Sequence, residues 1–131
     1  MSRRLAPALA IALAAACAHA PPPGEPTLRP GHGEVGFASY YGTEFQGRRT
    51  ASGARYDAHA LTCAHPTAPF GAHLRVTDLE TGRSVVVTVN DRGPFAKGRV
   101  VDLSLAAARR LGIVERGLAR VRVERAEGTQ P

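Results

Sequence analysis

The chain has 131 residues, 44% apolar and 21% charged, which suits one globular domain and leaves no room for two. Only 5% of residues are aromatic and Trp is absent, so a core must come from Val, Leu and Ala; 14 Gly and 10 Pro favour turns over long helices. The formal charge of +6 is spread among interspersed acids, which argues against a nucleic-acid face, and two cysteines exclude a disulfide-dense scaffold or a four-cysteine zinc site.

The N-terminus reads as an export signal. Arg3 and Arg4 precede an apolar stretch of 12 residues, Leu5 to Ala16, broken by Pro7 and too short to span a bilayer. The stretch ends in Ala14-Ala15-Ala16-Cys17, small residues before a cysteine, which resembles a lipobox. Cleavage there would make an acylated Cys17 the first mature residue and hold the chain on a membrane. The residue after it is Ala18, not the Asp that retains lipoproteins at the inner membrane, so the outer membrane facing the periplasm is expected. Removing residues 1–16 takes away Arg3 and Arg4 and lowers the charge to +4. Residues 17–33 carry five prolines and three glycines and are expected to form a solvated tether.

From Glu34 the pattern changes to short strand-like runs. Val35 to Tyr41 alternates loosely and stops at Gly42; Leu74 to Leu79 alternates before a turn at Glu80-Thr81-Gly82. Ser84 to Asn90 is the strongest strand, and its run Val85-Val86-Val87 predicts burial on both faces. Asp91 to Pro94 ends it, Val100 to Leu103 follows, and Leu118 to Val123 alternates cleanly. One helix is signalled: Ser104 can cap Leu105 to Arg110, Leu105, Ala108 and Leu111 make its buried stripe, and Gly112 stops it. Short strands with a single helix over about 90 residues predict a mainly β, closed barrel over 34–125, followed by a polar tail at 126–131.

Three segments carry the chemistry-bearing residues: ASYYG with FQGRRTASG, LTCAHP, and VNDRGPF with GRVVDLS. In the last, Asp91 leaves a valine strand and enters a Gly-Pro turn, where partial desolvation favours the protonated acid; an Asx turn to its own backbone is the competing reading. Asp102, just before the helix, suits a buried bond to backbone amides. His65, between an apolar run and Pro66, is either a satisfied packing residue or a functional one, and no histidine spacing suggests a metal. Of Tyr40 and Tyr41, beside a glycine loop, one is expected in the core and the other against a sugar ring. Cys63 reads as a small buried hydrophobe.

In order and spacing these segments resemble the rare lipoprotein A family of bacterial envelope proteins, over nearly all of Glu34 to Glu124. The resemblance implies a six-stranded double-psi β-barrel and a lytic transglycosylase that cleaves bare peptidoglycan strands to 1,6-anhydromuramic ends, with no cofactor. It implies His65 and Asp91 as catalytic residues and places Tyr40, Tyr41, Asn90 and Arg92 at the substrate. Where the family carries a Glu after Thr-Ala-Ser-Gly, this chain has Ala54, with Asp57 and Glu44 the nearest acids in sequence. That departure keeps a non-catalytic, wall-organising glycan binder as the alternative, with an expansin-like polysaccharide-loosening protein behind it. Expected partners are peptidoglycan strands and, through Cys17, a membrane; the chain is expected to act as a monomer, without nucleic acid and without a C-terminal glycan-binding repeat domain.

Overall fold

The computed structural model describes residues 33–126. The expected signal segment, the acylated Cys17, the tether up to His32 and the tail beyond Ala126 lie outside the described residues. Among the described residues no helix is long and apolar enough to cross a membrane.

Six strands close into a barrel in the order β1-β5-β2-β4-β3-β6: β1 Glu34–Tyr40, β2 Thr62–Ala64, β3 His73–Asp78, β4 Ser84–Asp91, β5 Arg99–Leu103 and β6 Ala119–Arg125. The β1/β5 and β2/β4 pairs are parallel, and the remaining four pairs are antiparallel, which is the double-psi arrangement. Alternation explains most of this. In β6, Ala119, Val121 and Val123 point inward while Arg120 and Arg122 face water; in β3, Leu74 and Val76 do the same. Together with Val85, Val87 and Val89 of β4 they fill the barrel with branched side chains of similar size.

One expectation about the strands changes. The Val85-Val86-Val87 run is not buried on both faces, because Val86 is only half-buried: β4 is paired on both edges, yet one of its faces is only partly covered. The strand β2 has three residues and no readable period, and is held by β4 on one side and β5 on the other.

The helix α1, Leu105–Leu111, packs against β4 and β1. Ser104 caps it, its Oγ accepting from the Ala107 amide at 3.2 Å, and Gly112 closes it at φ +79°, a left-handed conformation that glycine adopts without a Cβ clash. The Ser104 hydroxyl also donates to the Ala60 carbonyl at 2.6 Å, tying the helix start to the loop before β2. Asp102 is buried, but its partner is the Ser39 hydroxyl on β1 and not a backbone amide as expected; Arg99 lies 4.0 Å away. The two strands run parallel and adjacent, so a side-chain hydroxyl reaches the carboxylate first.

Candidate active site

The site is built where β4 leaves the barrel. Alternation along Val85, Val87 and Val89 would carry Asp91 toward the core, but the β2/β4 register slips: Cys63 pairs with Val89 and Ala64 with Asp91, so Asn90 is an extra residue. A bulge of this kind bends the strand and re-aims the side chain that follows. Asp91 therefore stands at the barrel end, partly exposed.

The segment between β1 and β2 docks beside it. Residues 48–56 fold back on themselves, with Tyr56 N donating to Arg48 O at 2.7 Å and Thr50 N to Ala54 O at 2.7 Å. Gly53 turns at φ +91°, a conformation open to glycine and strained for other residues. The tip docks on β4 as the Ser52 amide donates to Asn90 O at 3.2 Å and the Ala51 amide to Asp91 Oδ1 at 3.0 Å. The Arg92 amide donates to the same oxygen at 2.9 Å. Asp91 Oδ1 thus has two backbone donors, one of them the amide of the very next residue and not that of an Asx turn, while Oδ2 faces only the Tyr41 hydroxyl at 3.4 Å. Burial raises the Tyr41 phenol, helped by the charges of Asp102 and Asp91, so that hydroxyl keeps its proton and can donate.

In front of Asp91 lies a cavity of about 190 Å³ lined by Tyr41, Phe45, Arg48, Arg49, Thr50, Tyr56 and Asp91. Pockets that engulf a whole small molecule hold roughly 300–1,000 Å³, so this one suits a single ring of a longer chain. Its aromatic wall is rigid: Tyr41 meets Phe45 and Tyr56 edge-on, both at 5.6 Å between ring centroids. The Tyr56 hydroxyl is clamped between the Leu105 amide, which donates at 3.1 Å, and the Tyr41 carbonyl, which accepts at 3.3 Å. The start of α1 thereby holds the cavity wall in place.

The remaining sequence-derived candidates stand elsewhere. Tyr40 packs against the core and donates to Val114 O at 2.8 Å; it is the core member of the tyrosine pair and Tyr41 the cavity member. Asn90 offers its carbonyl to the loop and does not line the cavity. Arg92 turns away from it, donating to the carbonyls of His65 at 3.2 Å and Ala68 at 2.7 Å and stacking on Phe70 at 4.0 Å. His65 is almost fully buried, and its Nδ1 accepts from the amides of Thr67 at 3.1 Å and Ala68 at 2.9 Å. Its proton is therefore on Nε2, 3.3 Å from Glu34 Oε2. Burial pushes the imidazole below its ordinary value, against the pull of Glu34. No hydrogen bond joins the ring to the Asp91 carboxylate; the link runs through the main chain, where His65 N donates to Asp91 O at 3.2 Å. Burial pushes the Cys63 thiol up to about 12, which keeps it protonated and unreactive.

Neither nearby acid reaches the cavity. Asp57 accepts from the His59 amide at 2.9 Å, and Glu44 sits by Gly42, outside the lining. Asp91 is the cavity's one carboxylate among the described residues. Phe45, Arg48, Arg49 and Tyr56 carry no periodic signal; the sequence cue that marks them is an arginine pair next to an aromatic inside a glycine-bounded loop.

Fold and cleft together define a double-psi barrel with a single acid facing a ring-sized cavity. The chain belongs to the lytic transglycolase family, whose model matches residues 33–123. The endolytic peptidoglycan transglycosylase RlpA of Pseudomonas aeruginosa (strain UCBPP-PA14) is 57% identical over 90 residues, 69% of this chain and 26% of that protein. The protein of the same name from Neisseria meningitidis serogroup A is 50% identical over 91 residues, covering 70% and 38%. The chain thus spans about a quarter to two fifths of the length of these curated relatives. Among solved structures, an expansin of Clavibacter michiganensis in its apo form superposes with a TM-score of 0.60 at 25% identity, over 76% of this chain and 54% of that one. A Streptomyces papain inhibitor gives 0.59 at 25% identity, over 75% and 99%.

Proposed function

We propose that this domain is an endolytic peptidoglycan lytic transglycosylase that cleaves the β-1,4 bond between N-acetylmuramic acid and N-acetylglucosamine in bare strands. The observation that carries this reading is the state of one side chain: among the described residues Asp91 is the cavity's only carboxylate, with one oxygen held by two amides and the other facing the cavity beside the Tyr41 hydroxyl. Two-carboxylate glycosidases need a second acid within about 5–10 Å as base or nucleophile, and the cavity lining contains none. A transglycosylase does not need one. Protonated on Oδ2, Asp91 gives its proton to the glycosidic oxygen as the bond to C1 breaks. The 6-hydroxyl of the same muramic acid then closes on C1 and returns its proton to Oδ2, leaving a 1,6-anhydro ring and a restored acid. Tyr41, keeping its own proton, steadies Oδ2 between the two steps. His65 acts as a positioning residue: its ring fixes the turn at Thr67 and Ala68 on which Arg92 is anchored, and its amide holds the Asp91 carbonyl.

The names of the RlpA relatives support this reading, as does the family match. Ala54, where the family carries Glu, favours the second reading, a glycan-binding module without turnover. The deciding experiment incubates the chain with sacculi stripped of stem peptides and looks for anhydro-disaccharides by mass spectrometry. Release by the wild type and its loss in Asp91→Asn establish the lytic reading; binding by both without product establishes the other. We further propose a cell-envelope location, with Cys17 as the lipid anchor at the periplasmic face of the outer membrane and the chain acting as a monomer. Cys17→Ser should then free the protein from the membrane fraction.

A further inference from the structure

The cavity holds more positive charge than a lone acid needs. Arg48 and Arg49 both line it, both are exposed, and neither pairs with a carboxylate among the described residues. The contrast with other arginines is direct: Arg116 is paired to Asp78 and Glu80, and Arg92 is spent on two carbonyls and a phenyl ring. Nor are the two guanidinium groups left to wander. Arg48 lies 5.3 Å over the Phe45 ring, and Arg49 donates to Gly53 O at 3.4 Å, which holds both near the acid at reduced entropic cost on binding. A guanidinium presents several donors in a plane that matches a carboxylate and has no use for a neutral hydroxyl in preference to an anion.

We infer that Arg48 and Arg49 form a carboxylate-reading subsite that accepts the lactyl group of muramic acid only when that group is a free anion. This rests on the lytic reading for the identity of the polymer, and adds the reason a strand without stem peptides is preferred. Every muramic acid carries a lactyl ether ending in a carboxyl carbon. When a stem peptide is attached, that carbon is a neutral amide; when the peptide has been removed, it is a carboxylate beside the bond to be cut. Two unpaired cations next to Asp91 stabilise the second state and gain nothing from the first. The subsite also places the reacting sugar: with its lactyl anion held at the loop, the adjacent glycosidic oxygen can be presented to Asp91 Oδ2.

The test uses the full chain carrying Asp91→Asn, so that ligand is not consumed, and three preparations of equal strand length. These are amidase-stripped strands with free lactyl carboxylates, the same strands with those groups converted to methylamides, and strands retaining their stem peptides. Titration calorimetry should show binding about tenfold weaker for the methylamide than for the free acid, the usual scale of a charge-assisted hydrogen bond. Adding Arg48→Gln and Arg49→Gln should remove that ratio, with circular dichroism confirming that the barrel is retained. Equal binding of acid and methylamide strands overturns the inference. So does a double variant that weakens both equally, or tightest binding to peptide-bearing strands, which would assign the arginines to stem-peptide carboxylates. The lytic reading fails separately: if the wild-type chain yields no anhydro product while the acid-to-methylamide ratio persists, the subsite stands and catalysis does not.

Discussion

Asp78 and Asp91 are the last residues of neighbouring strands, and each accepts a hydrogen bond from the turn that follows it, from the Glu80 amide at 3.0 Å and the Arg92 amide at 2.9 Å. From there they diverge. Asp78 is fully buried, and its second oxygen takes the Thr81 hydroxyl at 3.1 Å and the Arg116 guanidinium, which also reaches Glu80 at 2.5 Å. Burial alone would raise its carboxyl; the bonds from Arg116, Glu80 and Thr81 outweigh this and hold it below its ordinary value. Asp91 has its second oxygen aimed at a cavity, with a phenol 3.4 Å away. Each carboxylate has three donors, but one is buried on a guanidinium and closes a turn, while the other turns its weakly held oxygen to an open cavity. What separates the two acids is the charge and burial of the partner, not the number of donors or the place in the strand.

The comparison breaks most visibly if the two aspartates are exchanged for asparagine. Asp91→Asn should cut anhydro-product formation about a thousandfold, the middle of the range for losing a general acid. Its thermal midpoint should hardly move, since the amide oxygen can still accept from Ala51 and Arg92. Asp78→Asn should do the reverse, lowering unfolding free energy in urea by about 2 kcal/mol, the scale of a hydrogen bond to a charged group, because the buried carboxylate that Arg116 binds is lost. Parallel losses of activity and stability in both variants would show that the two sites do not differ as described.

Ala54→Glu sharpens the contrast from the other side. Ala54 closes the loop whose Ala51 amide holds Asp91, so a carboxylate added there joins that loop. Turnover on stripped sacculi should rise about tenfold or more if the domain is already a catalyst lacking an auxiliary group. No change in rate would mean that the single-acid site is complete without it.

The smallest effects are those of pH. Asp78 binds its proton less readily folded than unfolded, so its contribution is fully present above the ordinary value of 3.8 and is lost as pH falls through the lower folded value. His65 is also lowered, by burial, so the unfolded chain takes up the proton first and stability falls as pH drops through 6.5. The melting temperature should therefore decline in a first step below pH 6.5 and a second below pH 3.8. His65→Asn, whose side-chain oxygen can still accept from Thr67 and Ala68, should flatten the first step and leave the second.

Strands β1, β3, β4, β5 and β6 and the helix were legible in the sequence because alternation, a serine cap and a terminating glycine are local signals, each written within about ten residues. The strand β2 was not, since three residues carry no period and its place is decided by pairing with β4 and β5. The same limit governs the site. Asp91 could be singled out at a strand exit, but the Ala51 amide that occupies one of its oxygens lies 40 positions away. The Ser39 hydroxyl that binds Asp102 lies 63 away, and an expectation built on nearby amides missed it. His65 was left between a packing and a functional reading, and Arg92 was placed at the substrate; the burial of the first against Glu34 and the anchoring of the second on the Ala68 carbonyl come from contacts 31 and 24 positions apart.

By itself, then, the order of residues determined which segments become strand, helix and turn, and which few side chains have the chemistry to matter. Tertiary structure alone decided which of those side chains retain an unused hydrogen-bonding valence. The reason is physical: backbone periodicity and capping act over a few residues, whereas an acid's availability depends on every donor that the closed barrel brings within 3 Å or so of its oxygens.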